Sequence, residues 1–503
     1  MISNIKLFYK NNTYYSILLI GLFLRLVAVL FSKGYGMHDD HFLIIEASKS
    51  WVDGFDYNRW LPWNQANPTP SGHSFFYVGI HFLIFTAFKW LGLTDPDTAM
   101  YFIRLFHAVY SLLIISLSYK ITLKLSNKTV ANTVGVLLAT LWVMPFLSVR
   151  NLVEIVAIPP LLASVWVIIK DDKKSFFKYF FAGIIGALAF SIRFQTSLFI
   201  GGIGLAILFQ KNWKQTIYYG LGVVFSIVLI QGTIDYFIWN KPFTELTEYI
   251  NYNITHKNDY GSGAWYSYIL VLAGLTVPPL GLLLFLAMFN IKKKLLILFI
   301  PTILFFAFHT YFPNKQERFI FPIFPMFLIL GFIGIDNLLN GKLNNEIWRK
   351  IYKFSFIFFV IINIILLPFV SIVYSKKARV EAMLFLKDKP QTEILLVDGT
   401  NKNGYKMLPQ YYMKKWARLN IIENTNNYKN INSSYTDKYI ILFGNDNLTS
   451  RLDSIETHIG EITLEYKAIP SFVDYVLNKL NDNNANDTLY IYSKKSTQKQ
   501  TKY

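Results

Sequence analysis

The chain has 503 residues, 53% of them hydrophobic and 17% aromatic but only 16% charged, with a mean hydropathy of +0.34, which excludes an ordinary soluble protein of this length. The absence of cysteine excludes a disulfide scaffold and a thiolate metal site without fixing the compartment. The formal charge of +18 reads as basic loops facing the cytoplasm and anionic lipid. Aromatic and basic residues do not interleave in the RNA-binding manner, so nucleic acid is not an expected partner.

Apolar runs of about 18 residues or more recur through the first three quarters of the chain, continuous rather than alternating, so they read as spanning helices and not as a barrel. The first follows Lys6 and Lys10, lacks a small-residue cleavage site and reads as an uncleaved helix. Spans are predicted near residues 14–33, 101–118, 131–148, 154–169, 178–193, 196–210, 217–238, 266–289, 296–312, 319–338 and 352–374. The short basic loops "YKITLKLSNKT", "IIKDDKKSFFK", "FQKNWKQ", "FNIKKKLL" and "NGKLNNEIWRK" then all face the cytoplasm with the N-terminus. Eleven crossings put the C-terminal region outside. The apolar segment near 75–94 breaks this parity if it crosses once, so it is expected to lie on the membrane surface or re-enter, within a large first external loop, 34–100.

With that topology the informative residues collect on the external side. An ionisable residue at membrane depth carries a large desolvation cost unless it is paired or lines a wet cavity. Asp39 and Asp40 in "GMHDDHF", Arg150 and Glu154 in "SVRNLVE", Arg193 in "SIRFQTS" and Lys315, Glu317 and Arg318 in "NKQERF" are the candidates. Guanidinium and ammonium groups hold phosphate oxygens, and a neighbouring carboxylate can take the proton of an attacking hydroxyl. Glycosyl transfer from a lipid phosphate needs both.

Plainer readings stand beside this one. Asp39 and Asp40 could cap a helix end in water, or could join His38 and His41 around a metal, although four adjacent residues do not easily converge on one ion. Lys315 and Arg318 could be snorkelling side chains, with Glu317 as their partner. Arg25, inside the first helix, reads as a buried structural group. Trp60, Trp63, Trp265 and Tyr266 fit an interfacial aromatic belt as well as a sugar platform.

The order "HDDHF", "RNLVE", "RFQT", "YGSGAWYSYILVLAGLTVPPLG" and "NKQERFIFPIFP" resembles glycosyltransferase family twenty-two, mannosyltransferases of the C-type superfamily, over about the first 340 residues. The resemblance implies an all-α polytopic membrane domain of the C-type glycosyltransferase fold, with about eleven to twelve spans and external juxtamembrane helices. It also implies inverting transfer of a sugar, mannose in most members, from a polyprenyl phosphate to a lipid-linked or surface glycan, without nucleotide sugar or metal cofactor. Asp39 then maps onto the general base, with Asp40 orienting it or binding acceptor. Arg193, Lys315 and Arg318 become donor-phosphate ligands, and His41, Arg150, Glu154, Gln195, Tyr260, Trp265, Tyr266 and Glu317 acceptor or structural support. This chain departs from the family pattern at Asn314, where histidine is usual, at Gln316, where glutamate is usual, and at Phe194 and Gln195, where Pro-Thr is usual.

Beyond the membrane domain, 1–374, the stretch 375–490 reads as a small extracytoplasmic α/β domain, and 491–503 as a disordered tail. Strands are expected in "TEILLVDGT", "DKYIILFGN" and "DTLYIYSK", and helices in "EAMLFLKDK", "MLPQYYMKKWARL" and "PSFVDYVLNKL". The Lys, Asn and Ile-rich composition favours a bacterial inner membrane over the endoplasmic reticulum. A flippase of lipid-linked glycans and an oligosaccharide polymerase or ligase are the competing functions; a transporter would show repeats and broken helices at the midplane.

Overall fold

The structure is a computed structural model that describes residues 12–259, 263–430, 438–480 and 484–495. The chain divides into two compact units. One holds the described residues through Phe31, Arg59–Ile80 and Phe102–Ile372; the other holds Ser32–Asn58, His81–Tyr101 and the chain from Val373 onward.

The first unit is helical. Among the described residues six helices are long and apolar enough to cross a membrane: Thr13–Phe31, Pro96–Leu125, Trp213–Trp239, Lys293–Tyr311, Glu317–Leu339 and Glu346–Ser371. Ser267–Leu275 and Leu280–Ala287 form a seventh candidate, bent by 118°. The predicted crossings at 154–169, 178–193 and 196–210 fall on shorter apolar helices, Val153–Ile169, Phe176–Ile192 and Phe194–Phe209. The predicted span 131–148 is broken into Lys128–Thr140 and Met144–Ser148, because Pro145 stands at the start of the second piece.

Burial follows each helix's composition. Residues 324 to 335 are all buried, as a helix apolar on every side should be. Helix Glu346–Ser371 instead exposes Phe354, Ile361, Ile364 and Phe369, a lipid-facing stripe. Phe176–Ile192 and Trp213–Ile227 cross on glycine: a Cβ at Gly183 would sit 2.2 Å from the Tyr219 carbonyl oxygen, and one at Gly222 only 2.0 Å from that of Phe180. Arg25 is wholly buried, its Nε–H donating to Ser111 Oγ (2.8 Å) and Nη1 to the Gly21 carbonyl (3.1 Å), so hydroxyl and backbone oxygens hold it.

The second unit is built on a five-stranded sheet, order β2-β1-β3-β5-β4. Strands β1 (Ile394–Asp398), β2 (Arg418–Ile422) and β3 (Tyr439–Phe443) are parallel; β5 (Leu489–Lys494) pairs antiparallel with β3 and β4 (Ile462–Ala468). The three predicted strands are β1, β3 and β5. The stretch "MLPQYYMKKWARL" is not the expected helix: Gln410–Met413 makes a short turn after Pro409, and Arg418 opens β2.

This unit also fixes how the first loop runs. Lys33, two residues past the first span, bonds Asp97 at the start of Pro96–Leu125 (Nζ to Oδ2, 2.9 Å). The two ends of the predicted first loop are therefore close to one another. At 16 residues the helix Phe75–Trp90 is about 24 Å long, short of the ~30 Å hydrocarbon core.

Candidate active site

In the first unit three helix ends bring charges from distant sequence positions together. Glu154 sits on the one-turn helix Val153–Val156 and is fully buried. Arg193 caps the C-terminus of Phe176–Ile192, where the backbone turns extended (φ −151°) and hands the chain to the turn Phe194–Thr196. Arg318 lies in the turn Glu317–Ile323. Glu154 Oε1 is 3.0 Å from Arg193 Nη1 and 3.5 Å from Arg318 Nε. These are close ion contacts rather than aligned hydrogen bonds.

The glutamines beside the arginines fix them. Arg193 Nε–H donates to Gln195 Oε1 (2.6 Å), and Arg318 Nε–H donates to Gln316 Oε1 (2.9 Å). Phe319 lies under both guanidinium planes, with ring centroids 4.9 and 5.7 Å from their central carbons. Arg193 Nη2 makes no hydrogen bond among the described residues, so part of its five-donor fork is open to a ligand. One buried carboxylate is thus shared by two guanidinium groups, and guanidinium groups are well suited to bind oxyanions.

Lys315 lies three residues before Arg318 in the chain; its ammonium donates to the Phe312 carbonyl (2.6 Å), and partial burial lowers its pKa. His309 is buried, and its Nδ1–H donates to the Phe305 carbonyl (2.8 Å). Arg150 is buried with its guanidinium 4.6 Å from the Phe146 ring centroid.

Glu317 is exposed and forms no ion pair among the described residues, whereas the neighbouring Arg318 is buried. Trp265 and Tyr266 meet edge to face at 5.7 Å and are both exposed. Tyr260 lies outside the described residues.

The acidic pair belongs to the second unit. Asp39 is exposed at the start of a seven-residue π-helix, Asp40–Glu46, whereas Asp40 is buried. A wide turn of this kind is rare and marks functional sites more often than ordinary helix does. His41 is not a surface ligand. Its ring lies between Tyr35 and Tyr412, at centroid distances of 4.4 and 5.8 Å, and Nε2 is 3.1 Å from Glu46 Oε1. Glu46 in turn accepts the Tyr411 backbone N–H (3.0 Å). Burial pushes the Glu46 carboxyl well above its usual pKa and pulls His41 down to about 3.

Sequence reasoning missed Glu46. One acid inside the apolar run "FLIIEAS" is the signal that could have found it. Among the described residues no three His, Asp or Glu side chains gather as a metal site would require.

Residues 16–401 match the model of the Alg9-like mannosyltransferase family. A GPI mannosyltransferase 3 of Candida glabrata is 28% identical over 145 residues, covering 26% of this chain and 23% of that protein. A Dol-P-Man:Man(7)GlcNAc(2)-PP-Dol alpha-1,6-mannosyltransferase of Arabidopsis thaliana is 26% identical over 177 residues, 34% of each. A probable enzyme of the same name from Schizosaccharomyces pombe is 24% identical over 259 residues, 48% of this chain and 47% of that one. The chain thus spans less than half the length of each of these curated relatives. Crystal structures of ArnT from Cupriavidus metallidurans, apo and bound to undecaprenyl phosphate, share the fold at a TM-score of 0.56 and 14% identity; the bound form covers 97% of this chain and 99% of its own. That is the C-type glycosyltransferase fold expected from the motifs. The chain belongs to the Alg9-like mannosyltransferase family.

Proposed function

We propose that this protein is an integral membrane mannosyltransferase that takes its sugar from a polyprenyl phosphate and transfers it, with inversion, to a lipid-linked or surface glycan. The observation that carries this reading is the buried Glu154 in contact with Arg193 and Arg318, which gathers two guanidinium groups at helix ends of an apolar domain. The family match supports the sugar, and the ArnT described with undecaprenyl phosphate supports the class of donor.

In this reading Arg193, Arg318 and Lys315 bind the donor phosphate, while Gln195 and Gln316 hold the two forks in place. Asp39 accepts the proton of the acceptor hydroxyl as that oxygen attacks the anomeric carbon. The bond from that carbon to the phosphate oxygen breaks, and the cations stabilise the departing lipid phosphate. Asp40, buried beside Asp39, orients it. No metal enters the scheme.

The topology we assign puts the basic loops inside and the second unit outside, in a bacterial inner membrane on compositional grounds. Purified protein in nanodiscs, given mannosyl phosphoryl lipid or nucleotide-linked mannose with a panel of glycan acceptors, should transfer only from the lipid phosphate. Lipid translocation without transfer would favour a flippase instead.

A further inference from the structure

The helix Phe472–Leu480 is gripped on one side and bare on the others. Asp474, buried, accepts the backbone N–H groups of Lys376 and Lys377 (3.2 Å each) and the side-chain amide of Asn486 (3.4 Å). Away from that anchor, Phe472 is 79% and Leu480 77% exposed, with Tyr475, Val476, Leu477 and the preceding Ile469 also uncovered. Burying such side chains is favoured over leaving them in water, so a nine-residue helix carrying this face calls for a cover.

Chain continuity identifies the cover. The last span ends at Ser371, and the five residues from there to Lys376 reach at most about 18 Å when fully extended. The first span ends at Phe31, and its exit joins the same segment. Ser32 Oγ–H donates to the Val373 carbonyl (3.2 Å), the Ser375 N–H donates to the Lys33 carbonyl (3.1 Å), and Gly34 bridges Ser375. Two membrane helices thus deliver their ends to the strip of backbone that Asp474 holds, which fixes that strip at the bilayer surface.

We infer that Phe472–Leu480 is an interfacial helix whose apolar face enters the boundary between headgroups and acyl chains. Lys479, with its ammonium 4.8 Å from the Tyr475 ring centroid, then sits among the lipid phosphates while its stem lies along the aromatic ring. The inference rests on the membrane spans and not on the proposed catalysis.

The test uses the natural lack of cysteine. Single variants Phe472→Cys and Leu480→Cys, with Asp453→Cys as an exposed control on the helix Leu448–Ile459, are spin-labelled in the full chain in nanodiscs. Collision rates with oxygen, which dissolves in lipid, and with a water-soluble nickel chelate are then compared. The ratio of oxygen to nickel access should be about threefold or more higher at 472 and 480 than at 453, as acyl contact requires. Equal ratios at all three sites would place the face in water. Shielding from both reagents, or dipolar broadening between labels, would mean that protein covers it. Either result overturns the inference.

Discussion

Arg193 Nη1 rests 3.0 Å from an oxygen of Glu154, a carboxylate with no solvent exposure. Removing that carboxylate takes away the counter-charge of Arg193 in a largely buried place. Glu154→Ala should therefore destabilise the protein by about 3–5 kcal/mol, the usual consequence of breaking a buried pair from one side. Glu317→Ala, on the same motif as Arg318 but exposed, should stay within about 0.5 kcal/mol of the parent. Thermal unfolding of both variants in one detergent separates the two glutamates.

Arg318→Ala should act on the donor. A charge-assisted bond to phosphate contributes roughly 1.5–3 kcal/mol, so the donor KM or Kd should rise about 10- to 150-fold. The acceptor KM should change by less than about twofold if the site binds only the donor phosphate. Steady-state titration of each substrate at saturating levels of the other checks this, and equal effects on both would assign Arg318 a structural role.

Glu46 and His41 predict acid sensitivity, with opposing signs over part of the range. His41 has its folded pKa lowered to about 3 from an ordinary value near 6.5. Its neutral form favours the native state above about 6.5, and that contribution is lost as pH falls toward 3. Glu46 is raised, so its contribution is full below about 4.5 and declines as pH climbs through its folded value. Above about 4.5 the two contributions run in opposite directions; below about 4.5 only the histidine still titrates. Stability should then fall by up to about 1.4 kcal/mol per pH unit down to about pH 3, and His41→Gln should flatten that limb in chemical-denaturation curves.

From the Lys33–Asp97 ion pair we predict that the first loop begins and ends on one face of the membrane. Cysteines introduced at Phe55 and Leu91, both exposed, should react with a membrane-impermeant maleimide added from the same side. Labelling from opposite sides would make Phe75–Trp90 a true crossing and overturn the loop assignment.

The membrane character, the gathering of cations and the strands β1, β3 and β5 were legible in the sequence because each has a strong local signal. Continuous apolar runs announce helices that lipid or protein must cover, and arginines at the ends of such runs are too costly to be incidental. β2 and β4 were not legible. They are edge strands, "RLNII" and "ITLEYKA", whose charged and polar residues blunt the strand pattern as edges commonly do. Nor could spacing reveal that residues 32–58 and 81–101 pack with the C-terminal sheet, since that depends on contacts such as Glu46 with Tyr411, 365 residues apart in the chain. Glu46 stayed hidden for the same reason: its partners are a neighbour five residues away and a backbone N–H far along the chain. At the site, sequence proposed the cations but not their order. Only the structure shows Glu154 as the shared counter-ion and Glu317 exposed.

The exposed Asp39 beside the buried Asp40 gives the base its sharpest test. Asp39→Asn keeps size and hydrogen bonding but cannot take a proton. Single-turnover transfer from mannosyl phosphoryl lipid, measured beside donor binding, should slow by about 10²- to 10⁴-fold, the range set by loss of a general base, with binding unchanged. Near-normal turnover in a folded, donor-binding Asp39→Asn protein would contradict the account.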